Sequence, residues 1–222
     1  MNKPMLKVVH FLPGLQVCLL VMTHVLAGRH LAAGFVHSLY LDPAGNVWVW
    51  GNAKLSPEID RHLPHLTLQN ARSVFADPRD VTSLVIKQDD SLWGWGDSEY
   101  GQPGIIQQTY SKNDGYIRQP RKIMDQVKDV SGDQAIFAIR EDDSLWAWGR
   151  YGSLRGDTSR KNRICPRKVM DNVAQVSSTY AHPVVKKKDG TVWVWGENDV
   201  GQLGNGTTVG SITPVQVHFP KP

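Results

Sequence analysis

Four times along the chain the same alternation of apolar and polar positions returns. An apolar run of strand length (SLYLD at 38–42, SLVIK at 83–87, IFAIR at 136–140, PVVKK at 183–187) leads into a polar turn. The turns read DPAGN, KQDDS, REDDS and KKDGT. Each is followed by a W-x-W-G segment: VWVWG at 47–51, LWGWG at 92–96, LWAWG at 145–149 and VWVWG at 192–196. Asp-Asp and Asp-Gly tolerate the positive φ of a tight turn, so each unit predicts a hairpin with the tryptophan segment as its second arm. All eight tryptophans of the chain fall in these segments. Trp48, Trp93, Trp146 and Trp193 are 45, 53 and 47 residues apart, which is the register of an internal repeat.

Successive residues of a strand point to opposite faces. One face of each second arm carries the tryptophans, Trp48 and Trp50, Trp93 and Trp95, Trp146 and Trp148, Trp193 and Trp195, and a glycine follows at Gly51, Gly96, Gly149 and Gly196. The other face carries Val47 and Val49, Leu92 and Gly94, Leu145 and Ala147, and Val192 and Val194. An antiparallel sheet commonly shows one face to water. Here both faces need cover, so each small sheet must lie between two neighbours. The pattern predicts an all-β, propeller-like array of four-stranded antiparallel blades. It makes the tryptophans packing between blades, with their indole N–H groups satisfied internally. They are not an aromatic binding strip.

The repeat divides residues 28–222 into units at about 28–63, 64–119, 120–165 and 166–213. Units two to four each open on a proline-led segment: PHLTL from Pro64, PRKI from Pro120 and PRKV from Pro166. The first unit has none, and a spare one, PVQV from Pro214, follows the last. The expectation is that residues 214–217 form a closing strand in the first blade, leaving no edge open.

These motifs resemble the regulator of chromosome condensation repeat family. Its pattern runs A-G-x-x-H-S-L-x-L, then D-G, then V-W-x-W-G-x-N-x-x-G-Q-L-G-x-G. AAGFVHSLYL at 32–41 matches the opening half, and Asp189-Gly190 through Gly206 matches the closing half. The resemblance covers residues about 28 to 217 and implies a β-propeller whose loops bind proteins. It also implies alternatives: nucleotide exchange on a small GTPase, or a secreted protein-binding or inhibitor module. Family propellers usually have seven blades and four repeats are visible here, so a small ring, part of a larger one and a dimer completing a ring all stay open. The GQLG segment is reduced to GQPG at 101–104 and GSLR at 152–155, and is absent from the first unit.

Composition adds bounds. With 41% hydrophobic and 21% charged residues, the 222-residue chain has the balance of a folded domain. Two cysteines, Cys18 and Cys165, exclude a disulfide scaffold and a CxxC site. In residues 1–27, Lys3 and Lys7 precede an apolar run ending in Ala27, which reads either as a secretory signal or as a hydrophobic first strand. The first reading sends the protein out of the cytoplasm and the second keeps it there. His10, Pro13, Gln16 and His24 interrupt the run and argue against a membrane span.

Candidate chemistry is sparse. His37-Ser38 is adjacent in a strand and occupies a repeat landmark, and His62 and His65 flank Pro64 with no third ligand nearby. Asp89-Asp90 and Asp142-Asp143 sit where the turn wants them, and Arg155-Gly156-Asp157 and the Asn205-Gly206-Thr207 sequon lie in glycine-rich loops of the scaffold. No catalytic residues, cofactor or metal are expected. Two loops break the repeat. Residues 102–119 carry Tyr110, Tyr116 and Arg118, residue types favoured in binding surfaces. Residues 150–168 carry Arg150, Arg155, Arg160, Lys161, Arg163, Arg167 and Lys168 against Asp157, a balance of +6 in a chain of net +4. That local charge predicts a protein partner with an acidic surface. Aromatic interleaving and a recognition helix are missing, which disfavours nucleic acid.

Overall fold

In the computed structural model, residues 28–55, 58–105, 115–133, 135–150, 156, 163–179 and 182–220 are described. They form sixteen strands in four antiparallel sheets of four, in chain order. The first sheet holds β1 (Leu31–Ala33), β2 (His37–Leu41), β3 (Val47–Gly51) and β4 (His65–Leu68); the second β5 (Ala71–Ala76), β6 (Ser83–Lys87), β7 (Leu92–Asp97) and β8 (Tyr116–Met124). The third holds β9 (Val127–Asp133), β10 (Ala135–Arg140), β11 (Leu145–Gly149) and β12 (Arg163–Met170); the fourth β13 (Val173–Ser178), β14 (Pro183–Lys187), β15 (Val192–Gly196) and β16 (Ser211–Val217).

The repeated hairpin has the expected turn. Gly45, Asp90, Asp143 and Gly190 have φ of 84°, 61°, 62° and 85°. The residue two before the first tryptophan completes the turn: Ser91, Ser144 and Thr191 donate to Asp89, Asp142 and Asp189 and accept the indole N–H of Trp93, Trp146 and Trp193 at 2.8, 2.8 and 3.0 Å. Trp48 reaches Asp42 directly at 3.0 Å. The same turn ties each sheet to the next. The carbonyls of Gly45, Asp90 and Asp143 accept the N–H of Ala71, Val127 and Val173 at 3.0, 2.9 and 2.9 Å.

Alternation along the second arms builds the core as predicted. Leu39, Leu41, Val47 and Val49 pack on Val74, Val85 and Trp95 of the second sheet. Leu84, Ile86 and Leu92, on that sheet's other face, pack on Val130, Ala138 and Trp148. Phe137, Ile139, Leu145 and Ala147 then meet Val176, Val185 and Trp195. Trp95, Trp148 and Trp195 have no exposed surface, whereas Trp50, in the first of the described sheets, is half-buried.

Strand exchange between the ends does not occur. Residues 214–217 belong to β16, which pairs with β15, and the first sheet has its own four strands. The proline-led segments close the sheets that precede them: His65–Leu68 pairs with β3, and β8 and β12 pair with β7 and β11. Each is an outer strand, where a residue without an N–H is tolerated because that side of the strand has no ladder partner. No strand pairing or core cluster joins the fourth sheet to the first among the described residues. The first sheet accordingly exposes Leu31, Tyr40 and Leu66, which lie in one row across its strands with Trp48. In the fourth sheet the exposed Lys186 occupies the position that Leu41, Ile86 and Ile139 bury.

Candidate functional site: the crevice between the first and second sheets

The sheets meet along their apolar faces, and the loops leaving each second arm decide how the junction is finished. After β7 the chain makes two consecutive turns, with Gly101 N–H donating to Ser98 O at 3.1 Å and Gly104 N–H to Gly101 O at 2.9 Å. The loop tucks against the third sheet. The Trp148 indole donates to Gln102 O at 2.8 Å, and the buried Gln102 amide donates to Asp80. In the third unit Gly156 lies against the Trp195 ring in the same way, where an added Cβ would come within 3.3 Å.

The connection in the first unit, residues 52–64, has no GQLG-type sequence, and its residues 56–57 lie outside the described residues. After Gly51 it runs Asn52-Ala53-Lys54-Leu55 and returns to the edge of β3, where the Arg61 carbonyl accepts the Gly51 N–H at 2.8 Å. A crevice of about 170 Å³ remains, lined by Val49, Trp50, Lys54, Leu55, Ile59 and Arg61 of the first unit and by Tyr116 and Arg118 of β8. Three cations, two aromatics and several aliphatic side chains line it, and none of the described lining residues is a carboxylate. Lys54 Nζ stands 4.4 Å from the Tyr116 ring centre, and Arg118 donates to the Leu55 carbonyl at 3.1 Å. Asp97, near Lys54, is a flanking acid whose carboxyl is pushed upward by burial.

The structure thus brings Tyr116 and Arg118 together with Lys54, Arg61 and Trp50. Sequence reasoning named the first two from their loop and assigned Trp50 to the scaffold. It missed Lys54 and Arg61, although the signal was on view in the absent GQLG segment. Arg150 is turned inward, its guanidinium 4.0 Å from the Tyr100 ring centre. Tyr110, Arg155, Arg160 and Lys161 lie outside the described residues, as does the side chain of Arg163, whose backbone begins β12. His62 is exposed and bonded to Asp60 at 2.8 Å, and His65 is exposed on β4. His37 is buried, its Nε2 3.0 Å from Ser83 Oγ of the second sheet, and burial lowers its pKa to about 4. Among the described residues no group of three metal-binding side chains gathers, and no helix is long and apolar enough to cross a membrane.

A row of four-stranded sheets, each joined to the next by apolar faces and a turn carbonyl, is a β-propeller-type repeat array. Residues 173–202 and 189–222 match the Regulator of chromosome condensation (RCC1) repeat, and the chain is a member of that repeat family. It is 31% identical over 197 residues to the human E3 ubiquitin-protein ligase HERC2, covering 80% of this chain and 4% of the ligase. It is 24% identical over 219 residues to the ultraviolet-B receptor UVR8 of Arabidopsis thaliana, covering 89% of this chain and 47% of the receptor. Among solved structures, yeast RCC1 (Prp20), crystallised with Kap60, superposes with a TM-score of 0.70 at 19% identity, covering 85% of this chain and 48% of that one. Human WBSCR16 superposes with a TM-score of 0.68 at 22% identity, covering 86% and 52%. The chain therefore spans about half, or far less, of the proteins it matches, and the structural likenesses establish the fold.

Proposed function

We propose that this chain is a protein-binding scaffold that holds an acidic partner at the loop edge of its sheets, chiefly through the crevice between the first and second. The observation that carries this reading is the crevice lining, where Lys54, Arg61 and Arg118 stand with Trp50 and Tyr116 and no carboxylate is found among the described lining residues. Cations there attract an acidic surface, and the aromatic and aliphatic walls supply the contact area that a charge pair alone lacks. The basic segment 150–168 is a second contact for the same acidic surface, and it steers the encounter. The repeat supplies positions for loops and needs no reacting group, in keeping with relatives as different as a ubiquitin ligase and a light receptor.

The test is affinity capture of protein partners by the full chain, compared with the variant Lys54→Glu/Arg61→Glu. Capture is expected to fall about tenfold or more, and to weaken in the unaltered chain as salt is raised. Capture indifferent to both changes would overturn the reading. Nucleotide release from small GTPases is expected to stay at its spontaneous rate when the chain is added; acceleration would favour the exchange activity implied by the family resemblance.

A further inference from the structure

Each junction between sheets obeys a size rule. The forward face of a sheet, which packs on the next sheet, carries a row of bulky aliphatic side chains. The rows are Leu41, Val47 and Leu68 in the first sheet, Ile86, Leu92 and Met124 in the second, and Ile139, Leu145 and Met170 in the third. The rear face of the receiving sheet carries a small pair: Val74 and Val85, Val130 and Ala138, or Val176 and Val185. Row and pair share one core cluster at every junction. Bulky against small lets facing layers interdigitate without voids.

The two faces that meet no sheet among the described residues reverse the rule. On the forward face of the fourth sheet the row is Lys186, Val192 and Val217. Its smaller side chains border a groove of about 410 Å³, lined by Thr191, Val192, Val217 and Phe219 beside the Gly190 turn. On the rear face of the first sheet, Leu31 and Tyr40 replace the small pair. Leu66 stands where the other sheets have Lys122, Lys168 and Gln216. Leu31 is 70% exposed, and Tyr40 and Leu66 are exposed with it. Tyr40 holds the place of Val85, Ala138 and Val185, whose clusters contain Leu41, Ile86 and Ile139; Lys186 holds the place of those last three. A bulky rear face with an aromatic ring thus matches a small forward face with an ammonium.

We infer that the rear face of the first sheet seats on the forward face of the fourth sheet of a second copy of this chain, by the packing that joins sheets within the chain. Leu31 and Tyr40 fill the groove beside Val192 and Val217. Lys186 lays its stem along the aliphatic row and its ammonium over the Tyr40 ring. The occupant is a second copy because the chain itself carries the complement of each face, in the arrangement of three junctions it already forms. The contact joins unlike faces, so copies add head to tail and either close into a ring or extend. It is independent of the acidic-partner reading, since Lys54, Arg61 and Arg118 take no part.

Sedimentation velocity of the full chain tests this over about 1 to about 200 µM, a range that brackets a weak specific contact. Monomer is expected at the dilute end and a rising mean mass at the other. Lys186→Glu sets an acid against the ring, and Tyr40→Lys sets two cations together, so each should shift the association midpoint upward about tenfold or more. The double variant Tyr40→Lys/Lys186→Glu brings opposite charges together and should regain most of the loss, which a purely structural effect of either change would not produce. Both positions are exposed, and unchanged melting curves check that the fold holds. Monomer throughout, association by Lys186→Glu as tight as by the unaltered chain, or a double variant no better than the single ones would overturn the inference.

Discussion

The first and second junctions between sheets are built from the same parts and finished differently. In both, aliphatic side chains of one sheet meet a fully buried tryptophan of the next, Trp95 in one and Trp148 in the other. In both, the carbonyl of a left-handed turn residue accepts an N–H from the following sheet. Only the second has the glycine-rich loop over its tryptophan. The apolar packing is the same whichever loop sequence follows the second arm, because that packing depends on strand positions two residues apart. What changes is the polar accounting at the edge: among the described residues the Trp95 indole N–H has no acceptor, whereas that of Trp148 has Gln102 O. A scaffold of this kind can vary its loops while its core stays constant.

The sharpest way to break the comparison is to remove the shared element. Trp148→Ala should cost about 3–5 kcal/mol by urea unfolding, since the ring is fully enclosed, whereas Trp50→Ala, at a half-buried ring with no preceding sheet among the described residues, should cost about 1 kcal/mol or less. Similar losses for the two would mean that the first sheet's free face is covered in solution.

The next effect tests the polar link within the first junction. His37 bonds to Ser83 and is held neutral by burial, with its pKa lowered to about 4 from 6.5. The unfolded chain takes up this proton near pH 6.5 and the folded chain only near pH 4. The native state therefore keeps its full stability from this group above about pH 6.5 and loses roughly 3 kcal/mol as the pH falls to 4. Half-buried Asp80 and buried Asp133 act in the opposite sense, because desolvation raises both to about 6, so the folded state takes up their protons first and gains stability below that pH. Urea titrations of the unaltered chain and His37→Gln from pH 7 to 4 isolate the histidine contribution. Curves that stay parallel would show that burial of His37 is not coupled to its charge.

The smallest effect bears most directly on the loops that follow the second arms. Trp148→Phe should cost about 1–2 kcal/mol, because the Gln102 carbonyl loses its donor in a buried site. Trp95→Phe removes a donor that has no acceptor and should change stability by less than about 0.5 kcal/mol, or raise it. Equal costs by thermal melting would show that Trp95 finds an acceptor in solution.

Much of this was legible in the residues. The turn aspartates, the alternation in W-x-W-G and the conclusion that both faces need cover come from local chemistry, and the hairpins and core follow them. The direction of the proline-led segments was not legible, since a proline-containing outer strand fits the sheet before it as well as the one after it. Tyr116 and Arg118 stood out through their loop, whereas Lys54 and Arg61 were signalled only indirectly, by the absence of GQLG from the first unit.

The sequence by itself determined the repeat, its register and the apolar character of both faces of each second arm, because turn preference and two-residue periodicity act over a few neighbouring positions. Only the tertiary structure decided that β16 stays with β15 and that, among the described residues, no strand pairing joins the fourth sheet to the first. It alone decided that Lys54, Arg61 and Arg118 come together in one crevice between the first and second sheets. Those outcomes depend on which distant segments come to lie side by side, and a crevice belongs to two sheets at once.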